Sequence, residues 1–599
     1  MEYDFQIASN SNVSFSQLFV ARSTRLCKYV ENAVKGSTRN EEVPGRKRSF
    51  TTFKRLIQSL ERVTPACHRE GAKHFLPSQY IDFHRFKRDL WKPNMGVDAL
   101  IAWASIRSFI KGSIDAVQKR KHLDKDAYFS LGKKRCRLTM AQRKAVYDVY
   151  LKYEKYREEL GLWDDCDRVQ SLLVGLKELE QTDSLSFYQM QYNKIYVDEV
   201  QDYTQAEIAL FFCLCGPGGL FLAGDPAQSV VEGVEFRFEE VRSVGHCLYN
   251  QDKKLIPDKP KTVNVNFRSH SGILNVAAGV LGQLFKAFPD AAKQLKKDRG
   301  LFLGPRPSVL HKVELHIVRD LIAKLDGLVI LTHDNAMENL KQQLDYPLVY
   351  GIREAKGLEF QSVLLLDFFC RLPTVIQKPF RDLLLGRRID DLNSTCPEME
   401  GYLKLLYTGI TRCIQRLVFA ETKRSIAGDA FVRWITTTKD ERGRRDSLAV
   451  HQGVDDLEVM SRTPDEWRAS GLEHAIVAEN ATDAGQTLSW LEKAIFAFEK
   501  AGDKDLSRKA RAHKVSALLR GEIDRQRVLK EEKLDVVVQL EVEVAQAVTN
   551  LLATGLLFEA KYILEAMLPL LAEYTREKLQ TEVILRFPSM EQGKNEEID

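Results

Sequence analysis

The sequence contains no G-x-x-x-x-G-K-[ST] segment, so the loop that commonly cradles phosphates and offers Mg²⁺ a hydroxyl is missing. Its ten cysteines form no CxxC pair, and its twelve histidines fall into no ligand spacing. That argues against a zinc site or a disulfide scaffold and for buried, reduced thiols in an intracellular protein. No apolar run approaches the roughly 18 residues of a membrane span. The first residues, Met1-Glu-Tyr-Asp-Phe5, carry an early acid and no apolar stretch, so neither secretion nor membrane insertion is expected. Charge of one sign is scarce too: 88 basic against 83 acidic residues leave a net +5, too little by itself to argue nucleic-acid binding.

What is there is an ordinary folded composition, 44% hydrophobic and 29% charged over 599 residues, long enough for about four domains. Gln17 to Val20 reads as a short strand leading into an amphipathic helix through Leu26, Val30 and Val34. From Phe50 to Leu179 the pattern is helical, and Thr139-x-x-Gln142 is a capping box. Lys144, Lys152 and Lys155 share that helix's polar face, which is solvated or contacts phosphates. The basic clusters Arg46-Lys-Arg48 and Lys133-Lys-Arg135 read as solvated surface or nuclear signals. Localisation is therefore expected to be nuclear or cytoplasmic, with the nucleus preferred.

Strand signals return at Ile195 to Val197, followed by a helix capped by Thr204-x-x-Glu207 and a strand at Leu220 to Ala223, which is a βαβ unit. Strands at Thr262–Val265, Leu328–Leu331, Leu348–Tyr350, Val363–Leu366 and Arg416–Ala420, with a helix from Ser271 to Phe288, make a second α/β block. Both predict parallel sheets flanked by helices. The polar run Lys439 to Asp446 reads as a linker, and everything beyond Asp465 to about Phe587 as helical. There Trp467 and Gly471 lie four apart, and Ala494, Phe498 and Ala501 follow the offsets of a tetratricopeptide (TPR) second helix. Eleven more residues separate the two halves than a 34-residue unit allows, and only Leu551 to Ala566 has a related look, so an irregular helical repeat and a generic bundle both stand.

Chemistry concentrates at Lys194-Ile-Tyr-Val-Asp-Glu-Val-Gln-Asp202, an apolar strand ending in adjacent carboxylates at the ligand edge of a parallel sheet. A hard metal wants such an oxygen donor, and an attacking water wants such a base. Five further segments keep a fixed order around it: Phe19-Val-Ala-Arg-Ser23, Ala223-Gly-Asp-Pro-Ala-Gln-Ser229, Val265-Asn-Phe-Arg-Ser269, Ala355-Lys-Gly-Leu-Glu-Phe360 and Tyr407-Thr-Gly-Ile-Thr-Arg412.

This series resembles motifs Ia to VI of the UvrD/Rep-type superfamily 1 helicases, and the added helical tail looks like the eukaryotic members that carry TPR and ankyrin repeats. The resemblance implies an α/β fold of two RecA-like P-loop NTPase lobes, the first truncated at its N-terminus and carrying a helical insertion, plus an all-α TPR-like C-terminal region. The expected domains are 1–49 and 186–255 for the first lobe, 50–185 for the insertion, 256–435 for the second lobe, 436–465 for the linker and 466–599 for the repeat region. The cofactors implied are ATP and Mg²⁺. Asp198 would hold Mg²⁺ through water, and Glu199 would deprotonate the nucleophilic water. Gln228 would contact the γ-phosphate, Asp225 would order its loop, and Phe267 would stack on adenine. Arg268 and Arg412 would act as arginine fingers, because planar forks neutralise the transferred phosphoryl group. Glu359 would accept from the ribose hydroxyl, or simply pair with Lys356. Gly357 would allow close backbone approach. Arg22, Ser23 and Thr24 are candidate nucleic-acid contacts or plain loop positions.

Departures bear on activity. Motif I is absent, so hydrolysis by this chain should fall by orders of magnitude, and a fragment or mispredicted start is expected rather than an evolved inactive protein. After Gln228 the usual aromatic pair is replaced by Val231 and Gly233, with Phe236 and Phe238 further on; base stacking there is worth about 1–3 kcal/mol per base. The stretch from Leu331 to Leu348 is too short for the large second insertion of processive members, which leaves translocation better supported than unwinding. The expected function is an ATP-dependent helicase or translocase on nucleic acid, single-stranded DNA in preference to RNA. The rival is a non-catalytic scaffold that binds protein partners through residues 466–587.

Overall fold

The computed structural model describes residues 15–37, 46–68, 75–132, 135–215, 218–229, 238–249, 256–289, 298–302, 304, 306–311, 313–387, 392, 396, 398–437, 462–481 and 484–529. They fall into two compact units: residues 1–340 with 349–458, and residues 341–348 with 459–599.

The first unit holds two parallel sheets. Strands β1 (Phe15–Ala21), β2 (Arg46–Thr52), β3 (Lys194–Val197) and β4 (Leu220–Leu222) lie in the order β2-β1-β3-β4. β1 pairs in parallel with both β2 and β3, with Val20 opposite Val197. β1 and β3 are apolar and inward-facing because a central parallel strand is covered on both faces. Among the described residues β4 pairs with β3 alone, and Phe221 at its centre is 61% exposed. A short two-stranded ribbon, β5 (Val265–Asn266) with β6 (Arg299–Gly300), precedes the second sheet. That sheet joins β7 (Ser308–His311), β8 (Val329–Thr332), β9 (Val349–Gly351), β10 (Phe360–Leu366) and β11 (Cys413–Glu421) in the order β7-β11-β10-β8-β9. The expected α/β blocks with parallel sheets are thus present.

Three strands were not anticipated, the two-residue β6 among them. β2 grows from the basic cluster Arg46-Lys-Arg48 and crosses the expected boundary at residue 50; an edge strand tolerates charge, which hides its strand character. β7 is a four-residue edge strand of similar obscurity. In the other direction, of the expected strand Thr262–Val265 only Val265 is extended in pairing.

Between β2 and β3 the regular elements among the described residues are helices, apart from isolated bridge positions. Helices Phe53–Val63 and Asp165–Thr182 pack Leu56, Ile57, Leu172 and Leu176 against Leu18, Val20 and Ile195 of the first sheet. The rest builds its own core around Phe86, Trp103, Tyr128, Val146 and Tyr153. The capping boxes at Thr139/Gln142 and Thr204/Glu207 both form. Lys144, Lys152 and Lys155 face solvent. Where the two cores meet, Lys111 lies fully buried in a π-helical turn, its ammonium 2.6 Å from Asp164, 2.9 Å from Asp167 and 3.4 Å from Glu154. Arg157 and His122 complete the neutralisation of these acids.

In the second unit, helices Pro464–Asn480, Ala484–Lys500 and Lys504–Leu529 run in succession. Gly471 lets the ring of Phe498 approach: a Cβ there would stand 2.6 Å from it. Ala494, Phe498 and Ala510 form the local core, and Trp467 packs on Phe496 at 5.7 Å. The expected linker run at 439–446 and the repeat-like stretch 551–566 lie outside the described residues. All ten cysteines are free. Among the described residues no helix is long and apolar enough to cross a membrane.

Removing one partner of a buried charge cluster leaves the others uncompensated. Lys111→Met should therefore lower the unfolding free energy of the first unit by about 3–5 kcal/mol in urea titration; a loss below about 1 kcal/mol would show that water reaches these acids.

Candidate active site

β3 delivers the acids. Its last residue, Val197, is buried, and the chain then turns sharply: Asp198 takes the Glu199 amide on its Oδ1 at 2.9 Å, and Glu199 itself adopts a left-handed backbone with φ 53°. That conformation is costly for a non-glycine residue and is held by the surrounding loop. Gln201 supplies the hold. Its Nε2 donates to the Glu199 carboxylate, while its Oε1 accepts the Asp225 amide at 3.1 Å. Gly224 is required at this crossing, since a Cβ would stand 2.2 Å from that Oε1. The loop after β4 is thereby fastened to the acid loop. In it Asp225 caps its own turn through the Ala227 amide, takes the Gln228 side-chain amide at 3.0 Å and takes the Tyr407 hydroxyl at 3.2 Å.

From the second sheet come the cations. Arg412 sits between helix Glu398–Ile410 and β11, only 2% exposed. Its guanidinium donates to the Thr408 carbonyl, the Leu358 carbonyl, the Thr411 hydroxyl and, at 2.5 Å, to Gln228 Oε1. Burial holds its pKa below the usual arginine value even though the Glu199 and Glu359 carboxylates push the other way. Arg268 follows β5, where Asn266 Oδ1 collects the Arg268 and Ser269 amides; the Ser269 hydroxyl then bonds the Cys413 carbonyl at 2.7 Å, fixing this loop beside Arg412. Arg268 is paired with Glu359 at 2.5 Å, both partly exposed.

Glu359 therefore does not pair with Lys356, the alternative open from the sequence. Lys356 crosses to the other sheet instead. From the turn between β9 and β10, opened by Gly357 at φ +76°, its ammonium lies 2.5 Å from Asp202 Oδ1, 2.7 Å from the Gln228 carbonyl and 3.9 Å from Glu199 Oε2. Sequence reasoning missed it as a site residue. The signal available was its place in Ala355-Lys-Gly, but nothing local told which carboxylate it would meet. Burial raises the Asp202 carboxyl to about 6, with Lys356 pulling against the rise. Asp198 is also raised by burial and by the neighbouring Glu199 charge, and the Arg268 charge partly offsets this.

Glu199, Gln228, Arg268, Glu359 and Arg412 are thus brought into one neighbourhood, with Asp198 at its edge. The Phe267 ring is 73% exposed beside it in sequence. The three nucleic-acid candidates are engaged within the fold. Arg22 Nη2 donates to both Glu207 carboxylate oxygens at 2.8 and 2.9 Å, and its guanidinium lies 4.5 Å from the Tyr203 ring centre. The Ser23 hydroxyl accepts the Leu26 amide, and Thr24 opens helix Thr24–Ser37. Val231, Gly233 and Phe236 lie outside the described residues, while Phe238 packs half-buried against the first core.

Asp198 offers a hard oxygen of the kind Mg²⁺ prefers, but the oxygens of Asp198, Glu199 and Asp202 do not converge on one point: among the described residues the one group of three ligand atoms within 4.8 Å of one another is Asp367, Cys370 and Glu421.

Parts of the chain are similar to known proteins. Residues 23–237 match the UvrD/REP helicase N-terminal domain family. The human TPR and ankyrin repeat-containing protein 1 is 32% identical over 451 residues, 66% of this chain and 15% of that protein. An ATP-dependent helicase/nuclease component of Bacillus pumilus (strain SAFR-032) is 25% identical over 193 residues, 28% of this chain and 15% of that protein. The chain spans about 15% of the length of each of these relatives.

Asp202 carries a pH signature. A carboxyl raised above its ordinary 3.8 stabilises the fold fully below about pH 3.8, and that contribution is lost as pH rises through about 6. The groups facing it are Lys356, Glu199 and Arg22. Its ¹³C carboxyl resonance should titrate with a midpoint near 6; a midpoint near 3.8 would mean that water reaches it freely.

Proposed function

From a chain that is UvrD-like over residues 23–237, we propose an ATP-dependent helicase or translocase body built of two RecA-like lobes, one on each parallel sheet, closing over a nucleoside triphosphate and acting on single-stranded nucleic acid, DNA in preference to RNA. The observation that carries the reading is the bond from Arg412 to Gln228, which ties a guanidinium of one sheet to a polar amide beside the acids of the other. Gln228 in this reading senses the γ-phosphate and passes its presence to Arg412. Glu199, held in a strained turn by Gln201, orients and deprotonates the attacking water. Arg412 and Arg268 face the charge that develops on the transferred group, and Arg268 leaves Glu359 to do so. Glu359 is then free for the ribose, Gly357 for close backbone approach, and the exposed Phe267 for the base. Asp198 would hold Mg²⁺, which when bound neutralises phosphate oxygens.

Nothing in the sequence supplies the phosphate-cradling loop, so turnover by this chain alone is slow in this reading. Arg22, Ser23 and Thr24 reach nucleic acid only if the Arg22–Glu207 fork opens. Helices Pro464–Asn480 and Ala484–Lys500, in which Gly471 receives Phe498, are read as a TPR-like pair that binds protein. The name of the human relative favours a second reading, in which the body is a non-catalytic scaffold.

A fluorescent ATP analogue separates the two. The motor reading predicts saturable binding, weakened about tenfold by Phe267→Ala through loss of stacking of about 1.4 kcal/mol. It also predicts that Glu199→Gln leaves binding intact while cutting single-turnover hydrolysis in the presence of a single strand at least about a hundredfold. No binding at millimolar analogue would favour the scaffold.

A further inference from the structure

The Gln228 side chain carries a donor and an acceptor on one amide, and which of them faces the second sheet decides what it can bind there. Its two neighbours agree on the answer. On one side stands Asp225 Oδ2, 3.0 Å from the Gln228 nitrogen, and an ionised carboxylate only accepts. On the other stands the Arg412 guanidinium, which only donates and meets the Gln228 oxygen at 2.5 Å. The amide is therefore held with its oxygen towards the cation. Asp225 is kept an acceptor by the Ala227 amide on Oδ1 at 2.9 Å and, on Oδ2, by the Tyr407 hydroxyl at 3.2 Å beside Gln228 itself. Burial pushes the Asp225 carboxyl up, and these three donors pull it back towards the charged form. Tyr407 is buried on helix Glu398–Ile410, which ends just before Arg412, so the same stretch of the second sheet's surroundings supplies the hydroxyl and the guanidinium.

We infer that Asp225 and Tyr407 are positioning residues that set the polarity of the Gln228 amide, so that Gln228 offers an acceptor and holds Arg412 until a stronger acceptor takes it. The connection runs from Tyr407 to Asp225 to Gln228 to Arg412. Its functional meaning rests on the nucleotide reading above. An amide oxygen cannot donate to a phosphate, so Gln228 senses the γ-phosphate by losing Arg412 to it, the phosphate oxygens being charged acceptors and the amide oxygen a neutral one. A purely packing role for Asp225 and Tyr407 has the same distances and a different consequence: Arg412 then stays in place when donor and acceptor are exchanged at position 225.

Asp225→Asn makes that exchange at nearly constant volume. The amide oxygen still takes the Ala227 amide, which turns the new NH₂ towards Gln228; Gln228 must rotate its own amide to accept from it, and Arg412 then meets a nitrogen. A nucleotide-free crystal structure of Asp225→Asn should show Arg412 withdrawn beyond hydrogen-bond reach of Gln228. Gln228→Glu added to Asp225→Asn should restore the contact, because a carboxylate accepts on both sides. Arg412 unmoved in the first variant, or not returned in the second, overturns the inference. In Asp225→Asn, single-turnover hydrolysis should fall at least about tenfold while binding of a fluorescent ATP analogue changes less than about twofold; equal loss of both, or of neither, overturns it. The unaltered chain gives an independent reading should Asp225→Asn not fold: the Gln228 side-chain amide protons, identified by their loss in Gln228→Ala, should exchange with solvent at least about tenfold more slowly than those of a free amide. Exchange at the free rate overturns the inference. Absence of analogue binding to the unaltered chain refutes the nucleotide reading and leaves the two crystal structures to judge Asp225.

Discussion

Two contacts across the cleft organise this molecule: Arg412 on Gln228 and Lys356 on Asp202. Each joins a loop at the ligand edge of one parallel sheet to a loop at that of the other. Both are buried or nearly so, which makes them matter: a charge taken out of water demands a partner of good geometry, and each sheet supplies what the other lacks. The acids of the first sheet would be expensive to bury alone, and Arg412, with its pKa already depressed by burial, would be no less so. The site is therefore a consequence of charge balance between the loops of two sheets.

The same logic accounts for the loops. Gln201 uses both ends of its amide, one on Glu199 and one on the Asp225 backbone, so the acid loop and the loop after β4 are held together. Ser269 binds the Cys413 carbonyl and so fixes Arg268 beside Arg412. Glu359 neutralises Arg268 at the cleft's exposed rim, where an ion pair is weak and readily exchanged. Buried contacts fix the frame, and exposed ones are left to change.

Much of this was legible in the residues. β3 declared itself because a central parallel strand must be apolar and because two carboxylates ended it; the capping boxes at Thr139 and Thr204 set helix starts from local chemistry alone. The packing of Gly471 on Phe498 was not legible, because the spacing between their two helices departs from the repeat that suggested them. What stayed hidden was non-local. β2 is a basic edge strand whose identity depends on β1 lying beside it, and the partners of Lys356 and Glu359 depend on how two sheets far apart in sequence face each other. Arg22 illustrates the same limit, since Glu207 lies 185 residues away in sequence. Periodicity reports burial, and motif order reports composition of a site; neither reports which of several nearby opposite charges a long side chain will choose.

In the proposed motor the acid loop and the two arginines enclose one triphosphate. A crystal structure of the chain with ADP and aluminium fluoride would show whether they do. The aluminium fluoride should lie between Glu199 and Arg412, with Arg268 turned from Glu359 towards it and the base against Phe267. A nucleotide bound elsewhere, or one bound here with Glu199 and Arg412 both out of reach of the fluoride, would contradict it.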